Sequence, residues 1–149
     1  MAQQNSPPAY PISTNDENIA SEPYIAWELE TVVKRINKGL GTSILATIQA
    51  RLRISNRQLS DLLMVSPRTL DRRKNEKSLP PDESERSYRI ARLTDRAYQV
   101  FENSEKVARW FSEPNFALGN IKPLDLAKTE PGAKLVEQVL GRIEHGITV

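Results

Sequence analysis

The chain has 149 residues, 38% of them apolar and 27% charged, with no cysteine, a single histidine and a net charge of +2. That composition fits a folded chain with room for one full core or two small ones, and it excludes a disulfide framework and a thiolate zinc site. No apolar run approaches the roughly 20 residues of a membrane span, and residues 1–18 lack the basic start and apolar stretch of a signal peptide. A cytoplasmic protein with no membrane contact is therefore expected.

Residues 1–22 carry Pro7, Pro8 and Pro11 among polar neighbours and no apolar period, so a disordered arm is expected there. From Tyr24 the pattern turns helical. Leu29, Val32, Val33 and Ile36 form the apolar side of a helix ending at Gly39 or Gly41. Ser43 opens a second helix with Ile44, Leu45, Ile48 and Leu52 at helical spacing. A short helix over Asn56–Leu63 turns Leu59, Leu62 and Leu63 inward, and Ser66-Pro67 starts a fourth, Ser66 as cap and Pro67 where a missing N–H costs nothing. After the Leu79-Pro80-Pro81 break, a long helix is expected from Asp82 to Glu102, with acids at its positive end and Ile90, Leu93, Ala97, Val100 and Phe101 as its buried stripe. Ser104 caps a helix bearing Val107, Trp110 and Phe111, and Glu113 to Lys122 reads as a loop. A short helix follows at Pro123–Lys128. Thr129 caps the last, which buries Leu135, Val136, Val139, Leu140 and Ile143 and stops at Gly146. With no strand of useful length, the fold class is all-α. The Pro80-Pro81 break suggests domains at 23–79 and 80–149.

Charge is concentrated. Between Arg51 and Lys77 eight basic residues face three acids, whereas the segments on either side are slightly acidic. This basic stretch coincides with the spacing of a helix-turn-helix over about residues 55–77. Ser60 is small enough for a close helix crossing, Leu59, Leu63, Val65 and Leu70 hold the two helices together, and Ser66 caps the second. Arg68, Thr69, Arg72 and Arg73 then fall near the start and exposed side of a recognition helix, where arginine suits guanine edges and phosphates. Asn56, Arg57 and Lys74 are expected to contact the DNA backbone. Two features run against the pattern. Met64 stands where such turns usually carry glycine, and Asp71 shares the side that phosphates would approach.

The second half carries a series of motifs: Arg96-Ala97-Tyr98-Gln99-Val100-Phe101, Ala108-Arg109-Trp110-Phe111, Pro114-Asn115-Phe116-Ala117-Leu118-Gly119, Lys122-Pro123-Leu124-Asp125-Leu126, Thr129-Glu130-Pro131-Gly132-Ala133 and Val136 to Gly146. In this order and with these gaps they closely resemble the Xre/MbcA/ParS family of toxin-binding antitoxins, from about Ile44 to Val149. The resemblance implies an Xre-like helix-turn-helix domain followed by a small helical toxin-binding domain, neutralisation of a RES-domain toxin that consumes NAD⁺, a homodimer or higher assembly, and repression of its own operon through operator DNA. Asn115, Lys122, Glu137, Arg142, Glu144 and the tail Ile147, Thr148 and Val149 are poorly explained by a core and are the candidates for the toxin-binding surface. The tail is expected to enter the toxin's cleft, its terminal carboxylate meeting an arginine.

A plain dimeric transcription regulator with no toxin partner is the competing reading, but a mere dimerisation module would not need that motif set. Catalysis has little to stand on. One histidine without cysteine builds neither a Cys-His pair nor a multi-histidine metal site, and the scattered glycines form no phosphate loop. His145 at a helix C-terminus interacts well with the dipole. No cofactor, metal or small-molecule substrate is expected.

Overall fold

The computed structural model describes Tyr10 and residues 23–146, and among these it is helical with no strand, only the isolated bridges Gly41 to Ser78 and Asn115 to Ile121. A 3-10 turn at Tyr24–Ala26 leads into α1 (Leu29–Lys38), α2 (Ser43–Leu52), α3 (Asn56–Leu62) and α4 (Pro67–Lys74). Then come α5 (Pro81–Phe101), α6 (Ser104–Ser112), a 3-10 turn at Phe116–Leu118, α7 (Pro123–Leu126) and α8 (Glu130–Glu144). No described helix is long and apolar enough to cross a membrane.

Side-chain caps fix the starts of α3, α4, α6 and α8. The Ser66 hydroxyl accepts from the Thr69 N–H at 3.0 Å and the Thr129 hydroxyl from the Gly132 N–H at 3.1 Å, as the sequence leads one to expect. At α6 the cap is Asn103 rather than Ser104: its side-chain oxygen accepts from the Lys106 N–H at 2.8 Å, and Ser104 is the first helical residue. Ser43 opens α2 as expected, and the hydroxyl of the preceding Thr42 donates to the Glu76 carbonyl at 2.7 Å.

The core runs without interruption through both halves. Ile44, Leu45, Ile48, Leu59, Leu62 and Leu70 belong to the same apolar cluster as Ile90, Leu93, Val107, Phe111, Val136 and Leu140. The 21-residue α5 makes this possible, packing on α2 and on α6 and α8. The Pro80-Pro81 break therefore redirects the chain without dividing its core.

Three expected core positions face water instead. Leu29 and Val33 are exposed because Val32 and Ile36 supply the inward stripe of α1, and Leu135 is 48% exposed because Ala133, Val136, Val139 and Leu140 supply that of α8. Most of the expected arm lies outside the described residues. Tyr10 is described and half-buried: its ring stacks on Tyr98 with centroids 4.4 Å apart, under the Arg51 guanidinium at 4.1 Å. Arg51 also reaches the buried Asp95 at 2.7 Å, and Asp95 accepts from the Ile25 N–H at 3.2 Å. Burial pushes the Asp95 carboxyl above its usual range against the opposing pull of Arg51, and burial likewise raises the Tyr10 phenol.

Candidate functional site

Helices α3 and α4 form the helix-turn-helix. Ser60 is fully buried at the crossing, its hydroxyl donating to the Arg57 carbonyl at 2.7 Å, and Leu59, Leu63 and Leu70 are buried around it. Met64 takes the left-handed conformation itself, with φ 57°, so the turn keeps its geometry at the cost of a strained non-glycine residue. Its side chain stays in water. An unforeseen capping box starts α3: Ser55 Oγ accepts from the Gln58 N–H at 3.1 Å while Gln58 Oε1 accepts from the Ser55 N–H at 2.9 Å. The Ser-x-x-Gln spacing of Ser55 and Gln58 is the signal that would have found it.

With Leu70 buried, helical spacing sends Arg68, Arg72, Asp71 and Asn75 outward from α4, and all four are exposed. Arg57 and Arg68 have no ion pair among the described residues, and Arg72 has only a long one, 3.8 Å to Glu76. Thr69 is half-buried, its hydroxyl 3.0 Å from Ser66 Oγ. Asn56 and Lys74 are exposed but hold each other, Lys74 Nζ donating to Asn56 Oδ1 at 2.5 Å and to Gln49 Oε1 at 3.3 Å. Arg73 departs from expectation. Its side chain is only 17% exposed and turned away from the outer face, with Nε 2.5 Å from a Glu83 carboxylate that is itself buried. It anchors α4 to the first turn of α5. The Glu83 hydrogen bond above all, with the Glu76 carboxylate 3.4 Å away, keeps its guanidinium above its ordinary pKa.

In the second half, Asn115 is half-buried and tied into its own loop. Its side-chain oxygen accepts from the Ala117 N–H at 2.9 Å, and its backbone pairs with Ile121 and Asn120 at 3.1 and 2.9 Å. Glu137 and Glu144 belong to a seam in which α5 arginines meet α8 acids in chain order: Arg89 with Glu130 at 3.2 Å, Arg92 with Glu137 at 3.1 Å, and Arg96 with Glu144. Lys122 and Arg142 are exposed and make no ion pair among the described residues. Ile147, Thr148 and Val149 lie outside the described residues. Phe116, which the Pro114–Gly119 motif does not mark as a surface residue, is 83% exposed at the tip of the 115–121 loop.

Comparison with known proteins matches two segments of the chain, which meet within α5. Residues 31–92 match the family model of the antitoxin Xre-like helix-turn-helix domain, and residues 96–146 match that of the antitoxin Xre/MbcA/ParS C-terminal toxin-binding domain. The chain is 33% identical to the antitoxin Xre of Photorhabdus laumondii over 114 residues, 75% of this chain and 77% of that one. It is 28% identical to the Prs ADP-ribosylating antitoxin of a Sphingobium species over 121 residues, 74% and 76% of the two chains. Its fold is shared with a chain of the M. tuberculosis MbcT-MbcA toxin-antitoxin complex, at a TM-score of 0.59 and 22% identity over 72% of this chain and 96% of that one. An Xre-like helix-turn-helix joined through α5 to a toxin-binding segment of this kind places the chain in the Xre/MbcA/ParS family of antitoxins.

Proposed function

We propose that this antitoxin neutralises a RES-domain toxin that consumes NAD⁺, and that as a dimer or higher assembly it also represses its own operon. The match of residues 96–146 to a toxin-binding domain carries the first part. The chain acts by binding: residues 80–149 face the toxin and obstruct its NAD⁺ site, while α3 and α4 face DNA. Co-expression with the RES-domain toxin of the same operon tests this. The expected outcome is restored growth and restored cellular NAD⁺. Arrest with unchanged NAD⁺ depletion, despite soluble antitoxin, overturns the reading. Deleting residues 147–149 separates two modes of obstruction. If the tail plugs the cleft, the truncated chain binds the toxin without inhibiting it; if the helical surface near Arg142 covers the cleft, inhibition persists.

The DNA reading rests on the outward, largely unpaired arginines of α4. Two such helices in a dimer fit a palindromic operator, because one short helix buries too little surface for tight binding. A fragment of the operon's promoter is expected to shift at low salt, with a slope of affinity against salt that reflects the phosphates neutralised. Absence of any shift, with toxin present or absent, leaves the helix-turn-helix as a structural element.

A further inference from the structure

We infer that Phe116 is a preformed aromatic anchor that inserts into an apolar pocket of the toxin; this rests on the toxin-binding role proposed above. Phe116 is 83% exposed. A phenylalanine in water is unremarkable on a loose loop, but this loop is tightly tied. Asn115 caps the 3-10 turn through Ala117, the Asn115 N–H donates to the Ile121 carbonyl at 3.1 Å, and the Asn120 N–H closes the ring onto the Asn115 carbonyl at 2.9 Å. Gly119 and Asn120 both take left-handed backbone, φ 69° and 62°, and Leu118 plugs the loop into the core. Many interactions thus fix the backbone under a side chain that itself contacts little. Such rigidity lowers the ordering cost of binding, and a rigid exposed aromatic is the kind of group that dominates protein interfaces.

The location selects the occupant. Of the large apolar side chains exposed among the described residues, Phe116, Ile121 and Leu135 fall within 96–146, the segment matching a toxin-binding domain. They sit on elements that touch: the 3-10 turn of Phe116 packs against α8, which carries Leu135. Ile121 is bridged to Asn115. Lys122 and Asn120, both exposed, flank Ile121 in the chain with polar groups. An apolar centre with a polar border is how a heteromeric interface is built.

The test uses the full chain and the purified RES-domain toxin of the same operon, with affinity read by calorimetry. Phe116→Ala is expected to weaken binding at least tenfold and Phe116→Asp further, with Tm unchanged in both because the ring is not packed in the fold. Phe116→Leu should recover part of the loss. A Kd for Phe116→Ala within twofold of the parent chain overturns the inference while the toxin-binding reading stands. If the parent chain itself fails to bind, that reading falls and takes this one with it. If toxin affinity is unchanged but sedimentation shows Phe116→Ala dissociating the antitoxin's own assembly, the anchor serves a second copy of the chain and the inference is wrong.

Discussion

Helices α4 and α8 both carry charge on their outer faces, and the structure treats the two charges in opposite ways. On α4, Arg68 is unpaired among the described residues and Arg72 nearly so, while the one arginine turned inward, Arg73, is tightly held by Glu83. On α8 all three carboxylates, Glu130, Glu137 and Glu144, meet an α5 arginine. Partly exposed ion pairs contribute little stability, but they do satisfy the charge. A charged side chain alone therefore says nothing about a partner; a charge left without one inside its own chain does. By that criterion the outward arginines of α4 support the proposed DNA face, while in the second half the charges left over are Lys122 and Arg142, and Phe116 and Leu135 add exposed apolar surface.

The largest effect on this contrast is expected from the inward arginine. Arg73→Ala strands the buried Glu83 carboxylate at the start of α5, and losing one partner of a buried pair costs about 3 kcal/mol. Arg72→Ala, one residue away on the outer face, should change stability by less than about 0.5 kcal/mol. Denaturant titration of both variants checks the difference. Equal and small losses would mean that Glu83 reaches water once Arg73 is gone, and that Leu70 alone seats the recognition helix.

A somewhat smaller loss is expected where α7 meets α8. A Cβ added at Gly132 would lie 1.9 Å from the Leu126 carbonyl oxygen, a backbone atom that cannot swing aside. Gly132→Ala should push α7 off the start of α8 and destabilise by about 2 kcal/mol, in the range of overpacked sites. Because the displaced element adjoins the 115–121 loop, toxin affinity should fall with stability. DNA affinity should be retained while the chain stays folded. A variant as stable as the parent would show that α7 moves freely.

Arg68→Ala is expected to leave Tm unaltered and to act on DNA alone. An arginine reading a guanine edge contributes about 1–3 kcal/mol of discrimination, so specific promoter binding should fall by roughly one to two orders of magnitude while non-specific binding changes little. Lys74→Ala is the control. Lys74 already holds Asn56 and Gln49, so its loss should weaken binding to every sequence alike and flatten the salt dependence. Uniform weakening by both variants would place Arg68 on phosphate rather than on a base.

What the sequence discloses differs between the halves for a physical reason. The helices, the Ser66 and Thr129 caps and the Leu59-Ser60-Leu63-Leu70 crossing are legible because caps and helical periodicity are local, set by residues within a turn of each other. The α5–α8 seam is not local. Arg92 and Glu137 meet across 45 positions, and the spacing of either helix alone gives no hint of it. The same holds for Arg73 and Glu83, which flank a proline break, and for Tyr10, whose partners Arg51 and Tyr98 come from two distant helices. Phe116 is hidden for another reason. A loop phenylalanine is ordinarily assigned to the core, and only the folded loop reveals the opposite.

The smallest effect is expected from the carboxylates of the seam. Glu137 and Arg92 are each 36% exposed, and the Arg96–Glu144 pair is also partly solvated. Neutralising Glu137 and Glu144 together, as Glu137→Gln and Glu144→Gln, should cost about 0.5–1 kcal/mol in all, because water screens each pair and the amides still accept from the arginines. The loss should shrink further as salt is added. Toxin affinity distinguishes the two roles available to these acids. If they serve only the seam, the double variant binds the toxin as tightly as the parent chain, and the partner surface is the apolar one around Phe116. If affinity drops by an order of magnitude while stability barely moves, the acids are shared with the toxin. An intrachain arginine would then be orienting each carboxylate for a cation on the partner, and pairing within the chain would no longer argue against a role outside it.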